Sequence, residues 1–157
     1  MDNELKQDFT RRLSQCNQGG MIVIIYDIFF AYTEDAKRAW KGSEREEYKK
    51  AIRNAQRALD ELIQALDLSY ELARTLRPLY VYCKVALART LYENRLDALE
   101  EAESIMKRLY ESFVKVAELD TSQPIMSNTQ QVYAGMTYGK TSLNENLIND
   151  NHRGFFV

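Results

Sequence analysis

A chain of 157 residues has room for one domain, and at that size folding buries roughly two thirds of the unfolded surface, enough for a self-sufficient core. Its 21 basic and 23 acidic residues nearly cancel to a net charge of −2, which leaves no overall field to draw in nucleic acid or an anionic membrane. Cys16 and Cys83 lie far apart without a CxxC pair and suit reduced thiols better than a disulfide framework.

Leu5, Phe9, Leu13 and Cys16 recur at steps of four, four and three, predicting a short amphipathic helix over residues 3–16 that can pack as a lid. Asn17, Gln18, Gly19 and Gly20 break it. The paired glycines permit a sharp turn into a long helix over residues 20–41, the element around which the rest is expected to pack. Its apolar positions, Ile22, Val23, Ile25, Tyr26, Ile28, Phe29, Phe30, Tyr32, Ala36, Ala39 and Trp40, sweep more than half of the circumference and call for neighbours on two sides. The strip left for water carries Asp27, Glu34, Asp35 and Arg38, with Ile24 on it as the one aliphatic out of place. The run from Met21 to Phe30 contains Asp27 and falls short of the ~20 apolar residues that cross a bilayer, so neither a membrane span nor a targeting segment is expected.

Ser43 with Glu46 reads as a capping box opening a helix over residues 43–67, in which Tyr48, Ile52, Ala55, Leu59, Leu62 and Leu66 form a narrow seam. Leu72, Leu76, Leu79, Cys83 and Ala86 repeat that rhythm over residues 70–93, widened by Tyr80, Leu87 and Leu91. Pro78 interrupts this segment and favours a short lead-in followed by a separate helix. Asn94 with Asp97 is placed to cap a last helix over residues 95–119, carried by Leu99, Ala102, Met106, Leu109, Phe113 and Val116. Short connections make neighbours antiparallel, so the expectation is an all-α protein: an antiparallel up-down four-helix bundle with a short N-terminal helix, over residues 1–120. Residues 121–157 read as an irregular tail, in which Val132, Ala134, Met136 and Tyr138 share one side if extended.

Chemistry finds little purchase. A di-iron bundle needs Glu-x-x-His pairs facing inward, and the single histidine, His152, lies in the tail. Neither cysteine has a base nearby in sequence, and Glu100, Glu101 and Glu103 read as a solvated face, so no enzyme, metal or cofactor is expected. The ten tyrosines suit half-wet surfaces, most of them closing the bundle ends and some lining a peptide groove.

The stretches IIYDIFFAYTEDAKRAW from Ile24 and SYELARTLRPLYVYCKVAL from Ser69 resemble the flagellar export chaperone family FliS. Ile25, Tyr26, Asp27, Ala36 and Lys37 match its first-helix pattern of an aliphatic-Tyr-acidic step and an Ala-Lys-rich end, and Leu76, Leu79, Tyr80 and Tyr82 match its Leu-x-x-Leu-Tyr-x-Tyr run. The resemblance spans about residues 9–118; the lead into the long helix, Pro78 and the longer tail depart from it. It implies a cytoplasmic chaperone that holds the disordered C-terminal segment of flagellin in hydrophobic grooves, with other export components as further partners, as a monomer or homodimer. The residues expected to meet the client are Ile24, Tyr26, Tyr80 and Tyr82, while Val132, Tyr133, Met136 and Tyr138 are expected to fold back over the empty groove. The competing reading is a generic helical interaction or dimerisation module.

Overall fold

Helices form where the apolar periodicity places them, in a computed structural model that describes residues 1–126 apart from Asn94. They are α1 (Asn3–Gln15), α2 (Gln18–Lys41), α3 (Arg45–Gln64), α4 (Glu71–Glu93) and α5 (Asp97–Leu119), and the described residues contain no strand. Val132, Tyr133, Met136 and Tyr138 lie outside the described residues.

Each of α2 and α4 packs against both α3 and α5, so α2 and α4 stand on one diagonal of a square bundle. The short connections make every side of that square antiparallel. Its core is built from Tyr26, Phe29 and Ala36 of α2, Ile52, Ala55, Leu59 and Leu62 of α3, Tyr80, Cys83 and Leu87 of α4, and Leu99, Ala102 and Met106 of α5. Thr33 and Thr90, the two buried polar residues among the described residues, donate their hydroxyls to the carbonyls of Phe30 and Leu87 within their own helices. No helix is long and apolar enough to cross a membrane among the described residues.

Several local expectations are corrected. Ser43 does not cap α3: its φ is 59°, and Glu44 precedes the helix without a side-chain cap bond. Ser43 instead closes α2. Its N–H bonds to the Trp40 carbonyl at 3.1 Å and that of Glu44 to Ala39 at 2.9 Å, the paired bonds of a left-handed helix stop, with serine where glycine is usual and Gly42 one position early. The start of α5 falls at Leu96, again without a side-chain cap, rather than at Asn94. Pro78 does not split α4, which runs unbroken from Glu71 to Glu93; the proline is exposed, so the Arg74 carbonyl it leaves unbonded faces water. Leu72 and Leu79 are exposed rather than core, because the buried stripe of α4 passes through Ala73, Leu76, Tyr80, Cys83, Leu87 and Thr90, and Val116 is exposed because the buried residues of α5 end at Met106.

The largest correction concerns Ile24, which is only 4% exposed. It sits where α1, α2 and α5 meet, beside Cys16, Val114 and Ala117, outside the central cluster. The polar strip of α2 is the bed of α1. Arg12 reaches Asp27 at 2.5 Å and the Met1 amino group pairs with Asp35, so α1 runs antiparallel along α2 with Phe9 as its buried anchor.

Candidate functional site

Across the bundle's diagonal the hydroxyls of Tyr26 and Tyr80, 54 positions apart in the chain, hydrogen-bond at 2.7 Å in the interior. Burial pushes both hydroxyls above the ordinary tyrosine range, so they stay protonated and neutral. Tyr26 also packs on Tyr110 and Phe113 of α5, with ring centroids 5.9 and 5.5 Å apart. Neither tyrosine presents a surface to a partner, which corrects the expectation that they face a groove; their hydroxyls join α2 to α4 instead. Cys83 is likewise packing: burial raises its thiol to about 11, and at neutral pH it is no nucleophile.

Tyr82 is the expected site residue that stays on the surface, 41% exposed, with its hydroxyl 2.6 Å from Glu101 of α5. That carboxylate pushes the phenol pKa up by holding its proton in a hydrogen bond. Around Tyr82 lies a feature the sequence reading missed. Pro78, Val81, Val85, Ala88 and Tyr92 follow one another at steps of three and four, and every one of them is exposed. This is a second seam on α4, turned away from the core. Its spacing is what a helix offers to a partner helix, and among the described residues no helix covers it. At its Tyr92 end it opens into a cleft of about 570 Å³ lined by Trp40, Tyr48 and Leu91, with Arg45 and Lys49 at the rim. The seam is present in the sequence as a repeat on the same helix, overlapping the core repeat through Leu76 and Cys83.

Among the described residues no group of histidine, cysteine, aspartate and glutamate side chains is placed to hold a metal. The exposed row on α4 is apolar and extended, with Val81, Val85 and Tyr92 as its large side chains. A family model described as flagellar protein FliS matches residues 1–120. The chain belongs to the FliS family. It is therefore one of the flagellar export chaperones, and the FliS match covers all five helices, the bare seam included. No individually curated protein matches this FliS chain.

Proposed function

We propose that this FliS-family protein holds the C-terminal segment of flagellin, keeping it from polymerising or aggregating before export. The exposed seam of α4 is the observation that supports this most directly. Val81, Val85 and Tyr92, 41, 53 and 93% exposed, are large side chains in a row that a folded protein ordinarily buries or uses. A flagellin terminus without its neighbours is an amphipathic segment lacking a partner, and it gains one by lying along such a row. Ordering that segment offsets part of the contact energy, so a broad interface gives moderate affinity.

Within this reading Tyr82 touches the client, Ile24 contributes only when α1 leaves α2, and Tyr26 and Tyr80 act by holding the two diagonal helices in place. The tail acts as a competitor for the groove through Val132, Tyr133, Met136 and Tyr138, a role supported only by the shared side of Val132, Met136 and Tyr138 in an extended segment, with Tyr133 beside them. Calorimetry with flagellin and with flagellin lacking its C-terminal segment tests the core of the proposal. Binding confined to the intact flagellin supports it; equal binding of both, or of neither, overturns it. A chain ending at residue 127 binds more tightly if the tail competes, and an unchanged or weaker affinity removes the tail from the account. Self-association through the seam, the competing module reading, appears as a dimer in light scattering that flagellin does not dissolve.

A further inference from the structure

α1 shows how the outer face of a bundle helix in this protein accepts an added helix, and α4 carries the equivalent face without one among the described residues. The hydroxyl bond between Tyr26 and Tyr80 sets the register, because residues 54 apart stand at the same height on α2 and α4. By that register Ile24 corresponds to Pro78, Asp27 to Val81, Ala31 to Val85 and Asp35 to Arg89. The α2 members of these pairs are buried or half-buried under α1, and the α4 members are all exposed.

Charge distinguishes the two beds. On α2 the covering helix brings Arg12 to Asp27 and the Met1 amino group to Asp35. On α4 the first of those positions is apolar, Val81, and the second is a cation, Arg89, whose nearby Glu93 is 3.5 Å away in an exposed pair. We propose that the outer face of α4 takes one client helix, antiparallel to α4 as α1 is to α2, with a carboxylate in its first turns against Arg89 and a large apolar side chain over Val85. The occupant is thus an amphipathic helix with an acidic N-terminal end, unlike α1, whose cations match the acids of α2. This rests on the reading that the protein binds a flagellin segment, and adds where, in which direction and with which charges it lies.

The test uses the full chain and the flagellin C-terminal segment as probe. Val85→Asp, on the surface and away from the core, weakens binding about tenfold or more while leaving the melting temperature in place. Arg89→Glu weakens it by roughly fivefold and flattens its salt dependence, since a charge pair across the interface is lost. Val116→Asp, an exposed apolar position on α5, stays within about twofold of wild type. A photo-crosslinker at Tyr92 labels the N-terminal half of the bound helix and one at Arg74 the C-terminal half. Wild-type affinity in both α4 variants, or the reverse order of crosslinks, overturns the inference while the chaperone reading stands. Failure of the wild-type protein to bind the segment overturns the reading beneath it.

Discussion

The outer faces of α2 and α4 occupy corresponding places in the bundle and have opposite fates. α2 is roofed by a helix from its own chain, so Ile24 is 4% exposed; α4 has no such roof among the described residues, and Val85 is 53% exposed. The same kind of side chain is therefore buried on one diagonal corner and exposed surface on the other, where we propose that it serves recognition. What decides between them is whether the chain itself supplies the covering element, and α1 does so with a single buried anchor, Phe9, and two ion pairs to aspartates.

The sharpest way to break this comparison is to place the same charge on each face. Ile24→Asp buries a carboxylate under α1, where the nearest cation, Arg12, is already committed to Asp27; it should destabilise by about 3 kcal/mol or more, or detach α1 outright. Val85→Asp should fall within about 0.5 kcal/mol of wild type, since an exposed position loses no burial. Urea denaturation followed by circular dichroism reads both. Equal losses would mean that α4 is covered in solution by something, or that α1 does not shield Ile24.

The next effect tests the joint that makes the two faces comparable. Tyr26→Phe leaves the Tyr80 hydroxyl buried without its partner, at a loss of about 1–3 kcal/mol, and Tyr80→Phe does the same in reverse. Removing both hydroxyls should be milder than the sum of the single losses, because no buried donor is stranded. Strict additivity in the double-mutant cycle would show that the two hydroxyls do not share a bond.

Much of this bundle was legible before its coordinates. The seam from Tyr48 to Leu62 is buried as its four-three rhythm required, and the wide apolar arc of α2 does have neighbours on two sides, α3 and α5. Periodicity reports that a side chain wants cover, yet not which element supplies it. Ile24 looks misplaced on the helical wheel because periodicity gives its cover, α1, no place to lie, and Tyr26 and Tyr80 look available because tyrosine usually keeps its hydroxyl wet. On α4 two repeats overlap, and the stripe through Leu72 and Leu79 has the rhythm of a core seam although both leucines are exposed. Cap positions failed for a related reason. A serine three residues before a glutamate looks the same whether it opens the next helix or, as Ser43 does, closes the previous one.

The corner where α1 turns into α2 offers a smaller effect. A Cβ on Gly19 would lie 2.8 Å from the Asp120 carboxylate and 3.2 Å from the Cα of Ala117, so the close approach of α5 to the start of α2 requires glycine there. That approach carries real bonds: the Gly19 N–H donates to Asp120 at 2.9 Å, and the Asn17 side-chain amide donates to the Asp120 carbonyl at 2.8 Å. Gly19→Ala should lose about 1–2 kcal/mol. Gly42→Ala, where a Cβ meets the Glu44 side chain at an ordinary 3.5 Å, should lose nothing. Thermal melts of the pair separate a packing requirement from a general distaste for replacing glycine. At the other end of α2, Ser43→Gly should gain up to about 1 kcal/mol by relieving its positive φ, and a loss there would mean that the serine hydroxyl contributes more than the backbone conformation costs.

The smallest expected effect returns to the two faces. Exchanging Asp27 for valine gives α2 the residue that α4 carries at the corresponding position, and it deletes the pair with Arg12. That pair is partly solvated, with side-chain exposures of 38 and 22%, so its Coulombic part is worth no more than about 1 kcal/mol and fades in high salt. The Arg12 guanidinium also lies 5.7 Å from the centre of the Phe9 ring, a contact that survives the exchange. Asp27→Val should therefore lower stability by less than about 1 kcal/mol in dilute buffer and by almost nothing in 1 M salt. α1 stays seated in that case by Phe9 and the Met1 contact. A loss that persists in salt would instead show that Asp27 anchors the covering helix by more than charge, and the contrast between a bed of aspartates and a bed of valines would then carry stability as well as choice of partner.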